Sequence, residues 1–126
     1  MRTIGLGLMG FGTVGTGVVK LLQDNRDVLE ARLGARLILK KVADLDIDSP
    51  RPVAIESGLL TRRAEDLIAD PDIDIVIELM GGFEPARTLI LNALSLGKHV
   101  VTANKALLAT HGNEIFCEAE ARGVNI

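Results

Sequence analysis

Aromatic side chains are almost missing from this chain: three Phe, no Trp and no Tyr in 126 residues. Without them there is no stacking platform for unpaired nucleobases. Dense Lys/Arg runs are also missing and the formal net charge is −3, so nucleic acid is not an expected partner. Cysteine is down to one residue, Cys117. That excludes an internal disulfide and a CxxC metal site, and it fits a reducing, cytoplasmic setting. Its surroundings, "EIFCEAEARG", read as a helix with Cys117 as a small core residue. The two histidines have no further ligand at metal-binding spacing. His99 reads as a strand residue and His111 as a loop residue, and no metal is expected.

Charge is lacking between Arg2 and Lys20. This run is slightly short of the ~20 residues of a membrane span. It has no glycines four apart to make a helix-packing face, and no small-residue cleavage site follows. Neither a membrane partner nor an exported leader is expected. With 48% hydrophobic and 25% charged residues, the composition is that of one soluble domain, residues 1–126, large enough to bury a core.

Glycine, by contrast, is concentrated. "IGLGLMGFGTVGTGVV", Ile4 to Val19, holds six of the thirteen glycines. It contains the phosphate-binding pattern G-x-G-x-x-G in two overlapping registers. The register Gly5, Gly7, Gly10 leaves almost no strand before the loop. It also puts four glycines inside the following helix, each costing ~1 kcal/mol against alanine. The register Gly10, Gly12, Gly15 leaves a full strand, Thr3 to Met9, and is preferred. Gly10 then makes the tight turn and Gly12 lets the backbone approach a pyrophosphate. Gly15 lets helix and strand pack closely, and the Thr13 and Val14 amides point at the anion. A glycine-rich packed turn with no ligand is the alternative.

Strand-like runs at Thr3–Met9, Leu37–Ala43, Ile73–Leu79 and His99–Ala103 alternate with helix-like runs at Thr13–Gln23, Ala64–Ala69, Pro85–Leu96 and Asn113–Arg122. "GVNI", from Gly123, reads as the start of another strand. "DIDSPRPVAIESG" reads as an irregular connection with one short edge strand. The alternation predicts an α/β fold: a doubly wound, mostly parallel sheet with helices on both faces.

Two further signals lie at strand tips. The second strand ends in Asp44 and Asp46, 29 and 31 residues beyond Gly15. A carboxylate there accepts hydrogen bonds from an adenosine ribose and repels a 2′-phosphate, or is simply solvated; Asp44 is the nearer to the strand. "GKHVVTANKALLATHG" puts Thr102, Ala103, Asn104 and Lys105 at the tip of another strand, level with "ELMGG". Lys105 is there a desolvated proton-exchanging amine, a hydrogen-bond donor, or a surface lysine opening the next helix.

Taken together and in order, "GFGTVGTGVV", "DPDIDIVIELMGG", "GKHVVTANKALLATHG" and "AEARGV" resemble the amino-terminal, dinucleotide-binding domain of homoserine dehydrogenases. "VVTANKALLA" is the most specific part. The resemblance implies a Rossmann-like fold in an oxidoreductase of threonine and methionine biosynthesis. Its substrates are the small molecules L-homoserine and L-aspartate 4-semialdehyde, and its cofactor is NAD or NADP. By resemblance Gly10, Phe11, Gly12, Thr13, Val14 and Gly15 form the pyrophosphate turn. Met80 and Gly81 line the nicotinamide side, with Thr102, Ala103 and Asn104 nearby, and Lys105 is the catalytic lysine. The family often has Arg or Lys at the second strand tip, where this chain has Asp44-Leu45-Asp46 and no base until Arg51, so NAD is preferred over NADP. The family's substrate-binding and dimerisation region does not follow Ile126. The chain is therefore expected to be truncated and inactive alone, with an open sheet edge that invites a homo-oligomer. A non-catalytic nucleotide-sensing module and another amino-acid or semialdehyde dehydrogenase stay open, though the "TANK" stretch argues against the latter.

Overall fold

The two faces of the first strand carry very different volumes, and the sheet is built around that difference. In β1 (Arg2–Met9), Ile4, Leu6 and Leu8 point one way, and Gly5 and Gly7 the other. The glycine face is filled from outside: a Cβ on Gly7 would lie 2.6 Å from the Leu67 side chain.

The computed structural model describes residues 1–126, the side chain of Ser57 excepted. After β1 come α1 (Thr13–Asp24), α2 (Arg26–Leu33) and β2 (Ala35–Ala43). A 3-10 turn (Ser57–Leu59) leads into β3 (Leu60–Thr61), followed by α3 (Ala64–Ala69) and β4 (Ile75–Glu78). The chain continues with α4 (Ala86–Ser95), β5 (His99–Thr102) and α5 (Lys105–Arg122). The sheet order is β3-β2-β1-β4-β5 and every pairing is parallel. The chain winds outward from β1 to β3, then returns to the other side of β1. The switch in strand order therefore falls between β1 and β4.

Each face has its own core. Met9, Ala43, Val76 and Val100 pack with residues of α3, α4 and α5. Leu8 and Val42 pack with Phe11 and Val19 and with Val53 and Ile55 of the β2–β3 connection. Buried Lys98 pins the end of the sheet opposite the strand tips, its Nζ donating to the Asp70 and Ile73 carbonyls, both at 2.7 Å. Burial pushes its pKa down, against the pull of Asp70 and Asp74.

The predicted alternation and the helices on both faces are present. Several details differ. Arg26–Leu33 forms a helix that the sequence pattern did not show, because it buries no residue. The last helix starts at Lys105 rather than Asn113, which puts His111 inside it rather than in a loop. Its buried stripe is Leu107, Gly112, Ile115 and Ala119, so Cys117 is exposed rather than in the core. The short strand expected within the irregular connection comes after it, as β3. At the chain end, Asn125 accepts from the Val100 N–H and donates to His99 Nδ1, both at 3.0 Å. It lies along the outer edge of β5 without forming a regular strand. Among the described residues no helix is long and apolar enough to cross a membrane.

Candidate functional site

Met9, Glu78 and Thr102 stand opposite one another across β1, β4 and β5. The three connections that leave those strands therefore start in one row. At ~4.8 Å per strand, the outer two begin about 10 Å apart. The glycine loop after β1 and the residues before α5 share one edge of the sheet, at the switch in strand order where open parallel sheets bind ligands.

The loop follows the later glycine register. Gly10 has φ +104°, a conformation that side chains rarely adopt, and a Cβ there would lie 2.8 Å from the Leu79 carbonyl. A Cβ on Gly15 would lie 2.0 Å from the Gly10 carbonyl oxygen, so helix and loop touch at that point. Gly12 is different. It caps α1 with an ordinary φ of −83°, no side-chain capping bond, and nothing within 4 Å of its absent Cβ. The amides of Thr13 and Val14 have no intrahelical acceptors, and the positive end of the helix dipole adds to them. An open cradle of uncapped amides at a helix N-terminus is what a diphosphate requires, so the residues present fit that group.

Phe11 works from inside. Its ring is buried beside Leu8, Val19 and Val42. Its N–H donates to Asp44 Oδ2 at 2.7 Å, and its carbonyl accepts from Arg51 Nε at 2.8 Å. Asp44 is thus tied to the protein before any ribose arrives. Its Oδ1 accepts from the Asp46 N–H at 2.8 Å, and only the second lone pairs are left for a ligand. Arg51, the first base after the tip in sequence, comes back to this tip. Its guanidinium lies 4.4 Å over the Phe11 ring and 3.8 Å from Asp44. Its sequence signal is faint: one base in an irregular stretch. Hydrogen bonds from the Ser49 side chain, then from the Ser49 and Asp48 amides, hold the Asp46 carboxyl down at about 2. A groove of about 440 Å³ runs between Gly10, Gly12, Asp44, Met80 and Gly81, with Arg62 on its rim. Arg62 is paired to Asp48 at 2.7 Å.

On the other side, Met80 is half-buried, and Gly81 has φ +76°. Glu78, fully buried, accepts from the Met80 and Gly81 amides at 2.9 and 3.1 Å and from the Thr102 hydroxyl at 2.6 Å. Thr102 Oγ1 accepts from the Asn104 N–H at 3.0 Å. Asn104 donates to the Gly82 carbonyl at 2.6 Å and caps α5 by accepting from Leu107 at 3.2 Å. The sequence reading missed Glu78. Its signal was a carboxylate closing the apolar run "IVI". Ala103 and Lys105 are exposed, so of the readings left open for Lys105 the desolvated amine is not found in this chain. Lys105 opens α5, where the helix dipole disfavours a cation, and among the described residues it makes no ion pair.

Residues 10–126 match the family described as "Homoserine dehydrogenase, NAD binding domain". The chain belongs to the homoserine dehydrogenase family. The homoserine dehydrogenase of Bacillus subtilis is 44% identical over 126 residues, covering 100% of this chain and 29% of that protein. The crystal structure of the Staphylococcus aureus homoserine dehydrogenase at pH 6.0 superposes with a TM-score of 0.92 at 37% identity. The match covers 99% of this chain and 32% of that one. The Thiobacillus denitrificans homoserine dehydrogenase gives 0.91 at 46% identity, covering 98% and 28%. This chain is therefore similar to the NAD-binding part of homoserine dehydrogenases, and it spans under a third of their length. The Rossmann-like fold is that of these relatives.

Proposed function

We propose that this chain is the cofactor-binding part of an oxidoreductase that interconverts L-homoserine and L-aspartate 4-semialdehyde. The observation that carries this reading is the shared row of strand tips, with the open amide cradle at one end and Lys105 near the other. The Thr13 and Val14 amides hold the diphosphate past Gly12, with Gly10 and Gly15 shaping the turn and Phe11 bracing it. Met80 and Gly81 flank the nicotinamide, with Thr102, Ala103 and Asn104 beside them. Asp44 faces the adenosine ribose. A bound NAD supplies the hydride acceptor for oxidation and, when reduced, the donor for the reverse reaction. The Lys105 ammonium stabilises negative charge on the substrate oxygen or donates a hydrogen bond to it.

The reading leaves the substrate's remaining contacts to parts of a longer parent, since the chain spans only 29% of its Bacillus relative. In that parent a cytoplasmic homo-oligomer is proposed. The experiment is Lys105→Ala in the full-length parent. We expect kcat to fall by about 10²–10³ with NADH affinity nearly unchanged. An undiminished rate would favour a module that binds nucleotide and does no chemistry.

A further inference from the structure

We propose that Glu78 is a positioning residue, whose carboxylate sets both loops of the nicotinamide end before the cofactor arrives; this rests on the cofactor site proposed above. Glu78 is completely buried, and burying a carboxyl costs several kcal/mol unless its oxygens are bonded. The strand does not need the side chain, because β4 is held in register with β1 and β5 through its backbone. Among the described residues no cation pairs with Glu78. All three of its partners donate to it: two consecutive amides and one hydroxyl.

The geometry points to what those bonds accomplish. One oxygen fixes the Met80–Gly81 turn, which walls the groove beside Gly10. The other oxygen orients Thr102, whose oxygen receives the Asn104 amide. Asn104 closes the circuit at Gly82 and caps the helix that presents Lys105. One side chain therefore holds the cofactor-facing turn and the start of α5 in a single closed ring. Such preorganisation removes the ordering cost that a ligand would otherwise meet.

Glutamine is the informative replacement. Its carbonyl oxygen can serve the two amides, but its NH₂ then reverses the bond to Thr102, whose hydroxyl must accept from it as well as from the Asn104 amide and loses its own acceptor. We would titrate the purified protein with NADH and with ADP-ribose, which lacks the nicotinamide, and follow amide hydrogen exchange of Met80 and Gly81. In Glu78→Gln we expect NADH to weaken about tenfold, ADP-ribose to stay within about twofold, and exchange at Met80 or Gly81 to accelerate. Thr102→Val, which keeps the carboxylate and removes the hydroxyl's bonds to Glu78 and to the Asn104 amide, should give the same ligand pattern with a smaller loss, so a poorly folding Glu78 variant does not shelter the idea. Equal weakening of both ligands, or unchanged binding and exchange, overturns the positioning role alone. A wild-type protein that binds neither compound overturns the cofactor reading, and this role with it.

Discussion

Gly12 and Gly15 belong to one loop, and they are glycine for opposite reasons. Gly15 is closed in: a Cβ would meet the Gly10 carbonyl oxygen at 2.0 Å, and backbone cannot swing aside. Gly12 is open, with an ordinary φ and empty space where its side chain would be. Gly15→Ala should therefore lower stability by about 1–3 kcal/mol in a urea titration, through overpacking. Gly12→Ala should cost about 1 kcal/mol or less, the difference between Gly and Ala at a helix cap, yet weaken dinucleotide binding. Equal losses of stability in the two variants would contradict the cradle, because a purely structural loop gives Gly12 no reason to be small. The same contrast separates Phe11 from its neighbours. Its ring and both its backbone groups are engaged inside the protein, so in the proposed site it braces the loop and leaves contact with the ligand to the next three residues.

Under the proposed cofactor role, the connection from Asp44 to β3 would decide between the two nicotinamide cofactors. Its Ala43-Asp44-Leu45 start offers a carboxylate to a ribose, and Arg51, which returns to this tip, is already engaged by the Phe11, Ser49 and Asp46 carbonyls, which favours NAD. Arg62 is the counter-argument. It sits on the rim of the same groove, held only by an exposed pair with Asp48 worth about 0–1 kcal/mol. Fluorescence titration should show NADH binding more tightly than NADPH, with Arg62→Ala leaving NADH affinity unchanged. Tighter NADPH binding that collapses in Arg62→Ala would reverse the assignment. This connection also shows where sequence reading stops. The glycine register was legible because helix penalties and strand length are local quantities. The return of Arg51 to Phe11 spans 40 residues of irregular chain and left no pattern. Arg26–Leu33 was invisible because a helix with no buried residue has no apolar stripe. The true start of α5 was obscured by Gly112, a poor helix former that happens to face the core. Glu78 was visible only as a carboxylate in the wrong company, and its partners come from two other loops.

At the scale of the molecule, a parallel sheet whose order reverses beside β1 gathers the ends of β1, β4 and β5 on one edge. That edge brings together groups as distant in sequence as Gly12 and Lys105. The two cores hold the strands from opposite sides, and the ring around Glu78 locks the tips of β4 and β5 to one another. A larger groove, about 680 Å³, lies between α1, β2 and the β2–β3 connection, near Leu22, Leu37 and Ile55. It has no glycine loop. One ligand bridging the strand-tip edge is the central proposal, and amide chemical-shift mapping on titration with NADH tests it most directly. The amides of Thr13 and Val14 should shift together with those of Met80, Gly81 and Lys105, all with one dissociation constant. Shifts confined to the glycine loop, or centred on Leu22, Leu37 and Ile55, would contradict it.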